Sequence, residues 1–111
     1  MFRLVDIEQP RPHPVELDLG DGEQYTFTAL WRYRDEATVA RLAEQGDDAL
    51  VLDALAGWEG VRDAEDSEIA FDEDELRRLL GYPVIRRALV LSYYDYLRSV
   101  YRGNWKRPSV S

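Results

Sequence analysis

The chain has 111 residues, no cysteine and a formal net charge of -8. That length suits one domain with a modest core, and 45% hydrophobic residues supply enough apolar matter to fold without metals or disulfides. The missing cysteine removes thiol catalysis, zinc–thiolate sites and disulfides, and the acidic balance disfavours nucleic acid or an anionic membrane as the main partner.

The opening MFRLVDIEQP carries charges throughout, so it reads as neither signal peptide nor membrane span. FRLVDIE alternates apolar and polar residues, which predicts a short strand. QPRPHP follows, with prolines at 10, 12 and 14, and predicts an extended loop. VELDL alternates again, GDG marks a turn, and EQYTFTALWRY predicts a longer strand. Tyr25, Phe27, Ala29, Trp31 and Tyr33 would share one face of it. The first third is therefore expected to form a small antiparallel hairpin sheet.

The period then changes. Asp35 predicts the cap of a helix through ATVARLAEQ, ended by Gly46, with Val39, Leu42 and Ala43 as its apolar stripe. DDALVLDALAGW predicts a second helix, capped by Asp47 or Asp48 and stopped by Gly57. It is apolar on nearly every side, the mark of a buried helix, with Trp58 closing its end. GVRDAEDSEIAF predicts a surface turn or small hairpin. FDEDEL is then a helix start. Asp72 is the N-cap, Glu75 its capping-box partner, and Phe71 and Leu76 form a hydrophobic staple. Gly81-Tyr82-Pro83 ends that helix and opens the last one, PVIRRALVLSYYDYLRSVYRG. Ile85, Leu89, Tyr93, Tyr96, Leu97 and Val100 form its main stripe; Val90, Tyr94 and Tyr101 widen it to about half the circumference. The expected fold is α+β: a small N-terminal antiparallel sheet, then a bundle of about four helices over residues 1–104, with a loose tail at 105–111.

Nothing in the sequence assembles a catalytic site. The single histidine, His13, lies between two prolines and is expected to be exposed and inert. No serine sits in a nucleophile elbow, and no glycine-rich phosphate loop exists. Asp63, Glu65, Ser67 and Asp74 loosely echo a calcium loop, but Glu68 stands where the sharp turn needs glycine. No metal and no cofactor is expected. Tyr93, Tyr94, Tyr96 and Tyr101 lie near Arg98 and Arg102; without a basic groove they suit packing and protein contact better than base stacking. From residue 84 onward six basic side chains face Asp95 alone, so an acidic body carries a basic end, an arrangement that could attract further copies of the chain.

One ordered pattern remains: a helix running into Gly57-Trp58 and Val61, then Phe71, Leu76, Leu79, Leu80 and Pro83, then Ala88, Leu89 and Tyr93. Over residues 25–104 the chain resembles the tail assembly chaperones of long-tailed bacteriophages and prophages. The resemblance implies a non-enzymatic protein in the bacterial cytoplasm that coats the tape measure protein before the tail tube polymerises. A longer, frameshifted form of such proteins would recruit tail tube subunits. The contact surface is expected on the last helix, at Val90, Tyr94, Leu97 and Tyr101, with Arg98 and Arg102 at the rim. Trp58 and Phe71 are expected in the core. The alternative is a minor tail or head–tail connector protein that stays in the virion.

Overall fold

The computed structural model describes residues 1–102, with the side chain of Arg102 left out. In chain order the elements are α1 (Leu4–Glu8), β1 (Arg11–Leu17), β2 (Tyr25–Trp31), α2 (Glu36–Gln45), α3 (Asp47–Ala54), β3 (Leu55–Glu59), α4 (Glu73–Leu80) and α5 (Pro83–Arg102). The three strands form one antiparallel sheet in the order β1-β2-β3. The fold is α+β, an N-terminal hairpin followed by helices, with a third strand between α3 and α4. The predicted tail at 105–111 lies outside the described residues.

Three segments differ from the sequence reading, each for a non-local reason. FRLVDIE forms the short helix α1 and not a strand. β1 begins at Arg11, opposite the last residue of β2, so residues 2–8 run past the end of the sheet with no strand to pair with. The backbone satisfies itself locally instead: Asp6 N–H donates to the Arg3 carbonyl and Arg3 N–H to Asp6 Oδ2.

The proline-rich segment is a strand and not a loop, because β1 is an edge. Pro12 and Pro14 share one parity, and the Pro14 carbonyl points away from β2, where it accepts a 2.8 Å hydrogen bond from Ser92 Oγ of α5. The missing proline N–H groups therefore fall on the side the ladder does not use. The prolines also blunt that edge against further pairing.

LAGWE is strand β3 and not the end of a helix. α3 stops at Ala54, and Leu55 is already extended. Gly57 does not act as a helix stop. It faces Leu30 across the ladder, where a Cβ would lie 3.1 Å from Leu30 Cδ1. The Ala54 carbonyl accepts from Arg32 N–H at 2.8 Å, which ties the end of α3 to the chain leaving β2.

The local signals hold where they depend only on neighbours. Asp35 caps α2 by accepting from Thr38 N–H, and Gly46 closes that helix with φ of 125°. Gly46 also starts α3, so neither Asp47 nor Asp48 is its cap; both lie in the first turn. Ala43, placed in the α2 stripe, is exposed. Asp72 caps α4 through Glu75 N–H, but Glu75 does not return the bond: its carboxylate takes Arg78 at 2.8 and 3.0 Å. The capping box is half formed. The turn before α4 is a small hairpin, with Ile69 N–H bonded to the Val61 carbonyl and a single bridge between Arg62 and Glu68.

Cross-strand neighbours share a face, so Val15, Ala29, Trp31 and Trp58 look the same way. The first three are fully buried and Trp58 nearly so. α5 supplies Leu89, Tyr93 and Tyr96 to the same core, and α3 and α4 close it with Leu50, Val51, Leu76 and Leu80. Trp58 lies in the core as expected, its indole N–H donating to the Ile69 carbonyl at 2.7 Å. Phe71 packs edge-on to it, 4.8 Å between ring centres, and is partly buried.

Candidate functional site

Helix α5 reaches its partners through polar tips as well as apolar bodies. The Trp31 indole N–H donates to Ser92 Oγ at 3.1 Å, and Ser92 in turn donates to the Pro14 carbonyl. Tyr93 packs its ring 4.8 Å from Trp31 and donates its hydroxyl to the Arg32 carbonyl at 3.0 Å. Burial pushes the Tyr93 hydroxyl well above its ordinary pKa, and burial raises Tyr96 too. The middle of α5 is thereby fixed over β1 and β2. That fixing decides which way its last turns face.

The end of the helix faces α2 across a groove. Tyr94, Leu97, Arg98 and Tyr101 line this groove of about 580 Å³ with Tyr33, Val39 and Ala40; Arg34 and Glu36 stand at its edge. Tyr94 and Leu97 are half-buried against the core, and Tyr101 is 72% exposed. Arg98 is exposed and reaches Asp95 at 3.4 Å. Arg34 is held by Asp53 at 2.8 Å. So four of the six residues expected at the contact surface meet in one groove. Val90 does not join them: it packs partly buried against the core further up the helix. The Arg102 side chain lies outside the described residues.

The groove's other wall was not legible from the α5 pattern. The sequence predicts Tyr33 on one face of the second strand with Tyr25, Phe27, Ala29 and Trp31, and Val39 in the stripe of α2. Val39 is buried and Tyr33 partly so, yet each also lines the groove. Helix α2 falls beside α5 through its packing on α3 and the return of the chain from β2, which no local signal announces.

His13 is not the exposed loop residue expected. It projects from β1 beneath α5 with its side chain 16% exposed, bonded through Nε2 to Asp95 Oδ2 at 2.7 Å and edge-on to Tyr96. The bond from His13 is the main reason the Asp95 carboxyl sits below its ordinary range. Ser92 is the buried serine nearest to this pair in sequence, and its hydroxyl is committed to Trp31 and Pro14. In the acidic turn, Asp63 Oδ1 accepts from the backbone N–H groups of Glu65 and Ser67, so it caps its own loop. Among the described residues no three histidine or carboxylate side chains gather in a metal-holding group. No described helix is long and apolar enough to cross a membrane.

The chain matches no protein-family model, and comparison with the curated proteins and with the solved structures finds no match.

Proposed function

We propose that this protein is a non-enzymatic assembly chaperone of a bacteriophage or prophage tail, which holds a segment of the tape measure protein in the groove between α2 and α5. The observation that carries the reading is the convergence of Tyr94, Leu97 and Tyr101 with Val39 and Ala40 into one apolar-walled groove with Arg98 at its rim. The resemblance of the motif residues from Gly57 to Tyr93 supports this reading of the family, and the groove is where the reading puts the client.

A groove of this kind suits the apolar face of an amphipathic helix, read as anchors at i, i+3 and i+4. Each large client side chain buried there contributes about 2 kcal/mol before the cost of ordering. Two or three such anchors, about 4–6 kcal/mol together, give binding no tighter than roughly 1 mM to 40 µM. That strength is useful for a chaperone that must leave. Many copies along one long client would add by avidity, holding it soluble without any single tight contact. The chaperone would act in the bacterial cytoplasm, and tail tube subunits would meet the client as it departs.

Co-expression with the tape measure protein encoded beside it, followed by pull-down and size exclusion, tests the reading. The expected result is a large co-eluting complex that keeps the tape measure soluble and is lost in Tyr94→Ala/Tyr101→Ala. No complex, with the chain instead present in purified virions, would replace this reading with a minor tail or connector component.

A further inference from the structure

A cluster of exposed apolar side chains lies beside the groove, on α1 and just before it. Phe2 is 63% exposed, Leu4 77%, Val5 50% and Ile7 40%, and α1 buries none of its residues. A helix of five residues has no stability of its own in water. What holds it to the body is slight: among the described residues, one hydrogen bond reaches outside the segment, from Arg11 Nη2 to the Asp6 carbonyl at 2.7 Å. Phe2 and Ile7 continue into the body through a cleft walled by Tyr33, Tyr96, Val100 and Tyr101. Val100 is itself 43% exposed. The segment thus spends its apolar side chains on solvent, next to a surface of the same character.

Charge sets this face apart from the rest of the molecule. Residues 1–11 carry Arg3 and Arg11 against Asp6 and Glu8, and so are balanced. Twelve of the 22 acidic side chains fall within residues 47–75, against Arg62 alone. The acidic hairpin that follows Glu59 sits at the far end of the sheet: Arg11 pairs with Trp31, whereas Glu59 pairs with Thr28 and Gly60 approaches Phe27. Two copies of a chain with charge -8 repel over most of their surface, and least where the local charge is zero.

The geometry points to a second copy of this chain as the occupant of the α1 face, in a symmetric dimer that joins Phe2, Leu4, Val5, Ile7 and Val100 of both subunits. The area suits it. These side chains leave on the order of 500 Å² of apolar surface exposed, comparable to the larger functional patches on soluble monomers. An ordinary interface of about 800 Å² per partner, some 60% apolar, asks for the same amount. A two-fold axis also places each balanced rim, Arg3 and Arg11 with Asp6 and Glu8, against an identical rim of mixed sign, which a self-complementary patch requires. The groove between α2 and α5 adjoins this face, sharing Tyr33 and Tyr101 with the cleft beside α1, so a dimer presents two grooves.

Sedimentation of the full chain alone, from about 1 to 200 µM, tests the dimer without any client present. The mass is expected to rise from 12.9 kDa toward twice that value. Leu4→Ser/Ile7→Ser is expected to raise the dimer dissociation constant at least tenfold while leaving the melting temperature of the monomer unchanged, since α1 buries nothing within one chain. Leu91→Ser, at a 54% exposed position elsewhere on α5, is expected to dimerise as the parent does. A parent chain that stays at 12.9 kDa throughout would overturn the proposal and leave the face to another occupant, such as residues 103–111 or a client. A dimer unmoved by Leu4→Ser/Ile7→Ser would overturn it too.

Discussion

The middle of α5 and the whole of α1 are both rich in apolar residues, and they meet opposite fates. Leu89 and Tyr93 have no exposed surface, and Tyr96 has 3%. Leu4 and Val5 keep half or more of theirs. The difference does not lie in hydrophobicity. It lies in what each segment finds opposite it: α5 meets the inner face of a sheet and two neighbouring helices, whereas α1 overruns the end of that sheet. Between the two extremes stands the end of α5, where Tyr94 and Leu97 are half covered and Tyr101 is open. The proposed client site lies where apolar residues stop being core.

Substitutions should reproduce this gradient. The largest effect is expected at Trp58→Ala, which removes a buried ring, its edge contact with Phe71 and the indole bond to Ile69. A loss of about 3–5 kcal/mol by urea unfolding follows, a large share of the stability of a domain of this size. Leu89→Ala should cost about 2–5 kcal/mol, against less than about 0.5 kcal/mol for Leu4→Ala measured on the monomer. Equal costs at Leu89 and Leu4 would erase the distinction between the two regions.

Tyr93→Phe probes the same core at finer grain. The ring stays and the bond to the Arg32 carbonyl goes, for a loss of about 1 kcal/mol at neutral pH. The pH dependence has a definite sign. Burial raises the folded-state pKa of Tyr93 above 10.0, so its contribution is fully present below pH 10 and is lost as pH rises toward the folded value. The parent should therefore weaken above pH 10 more steeply than Tyr93→Phe, a comparison that denaturant melts at pH 9 and 11 would make.

Smaller effects belong to the rim of the structure. Asp72→Ala removes the cap of α4 and should cost about 1 kcal/mol. Asp95→Asn weakens the bond to His13 that joins β1 to α5. The Asp95 carboxyl titrates below 3.8 in the folded state, so the advantage of the parent over Asp95→Asn should be present above pH 4 and vanish as pH falls through the lowered value. Since this aspartate is mostly exposed, the effect should be the smallest of the set and should shrink in high salt.

The same gradient explains what could be read from the sequence. Asp35, Gly46 and Asp72 were legible because a cap involves only residues three or four apart. The α+β order was legible because the period of the apolar pattern switches after Tyr33. β3 was not: ALVLDALAG is apolar but for Asp53, its period fits helix and strand alike, and only the partner strand at Leu30 and Trp31 decides where it changes. The proline strand was missed because a proline's fitness for an edge depends on which side the ladder lies. Of the groove, Tyr94, Leu97, Arg98 and Tyr101 could be named from one helix, whereas Tyr33, Val39 and Ala40 arrive from elements whose placement is tertiary.

The most direct test of the groove as a client site pairs two readings on one variant, Tyr94→Ala/Tyr101→Ala: its melting curve and its capture of the tape measure protein. The account predicts a shift in melting temperature of only a few degrees, since Tyr101 is open and Tyr94 half covered, together with at least a tenfold loss of capture. Full capture by a folded variant, or a collapse of folding that shows these tyrosines to be core, would contradict it.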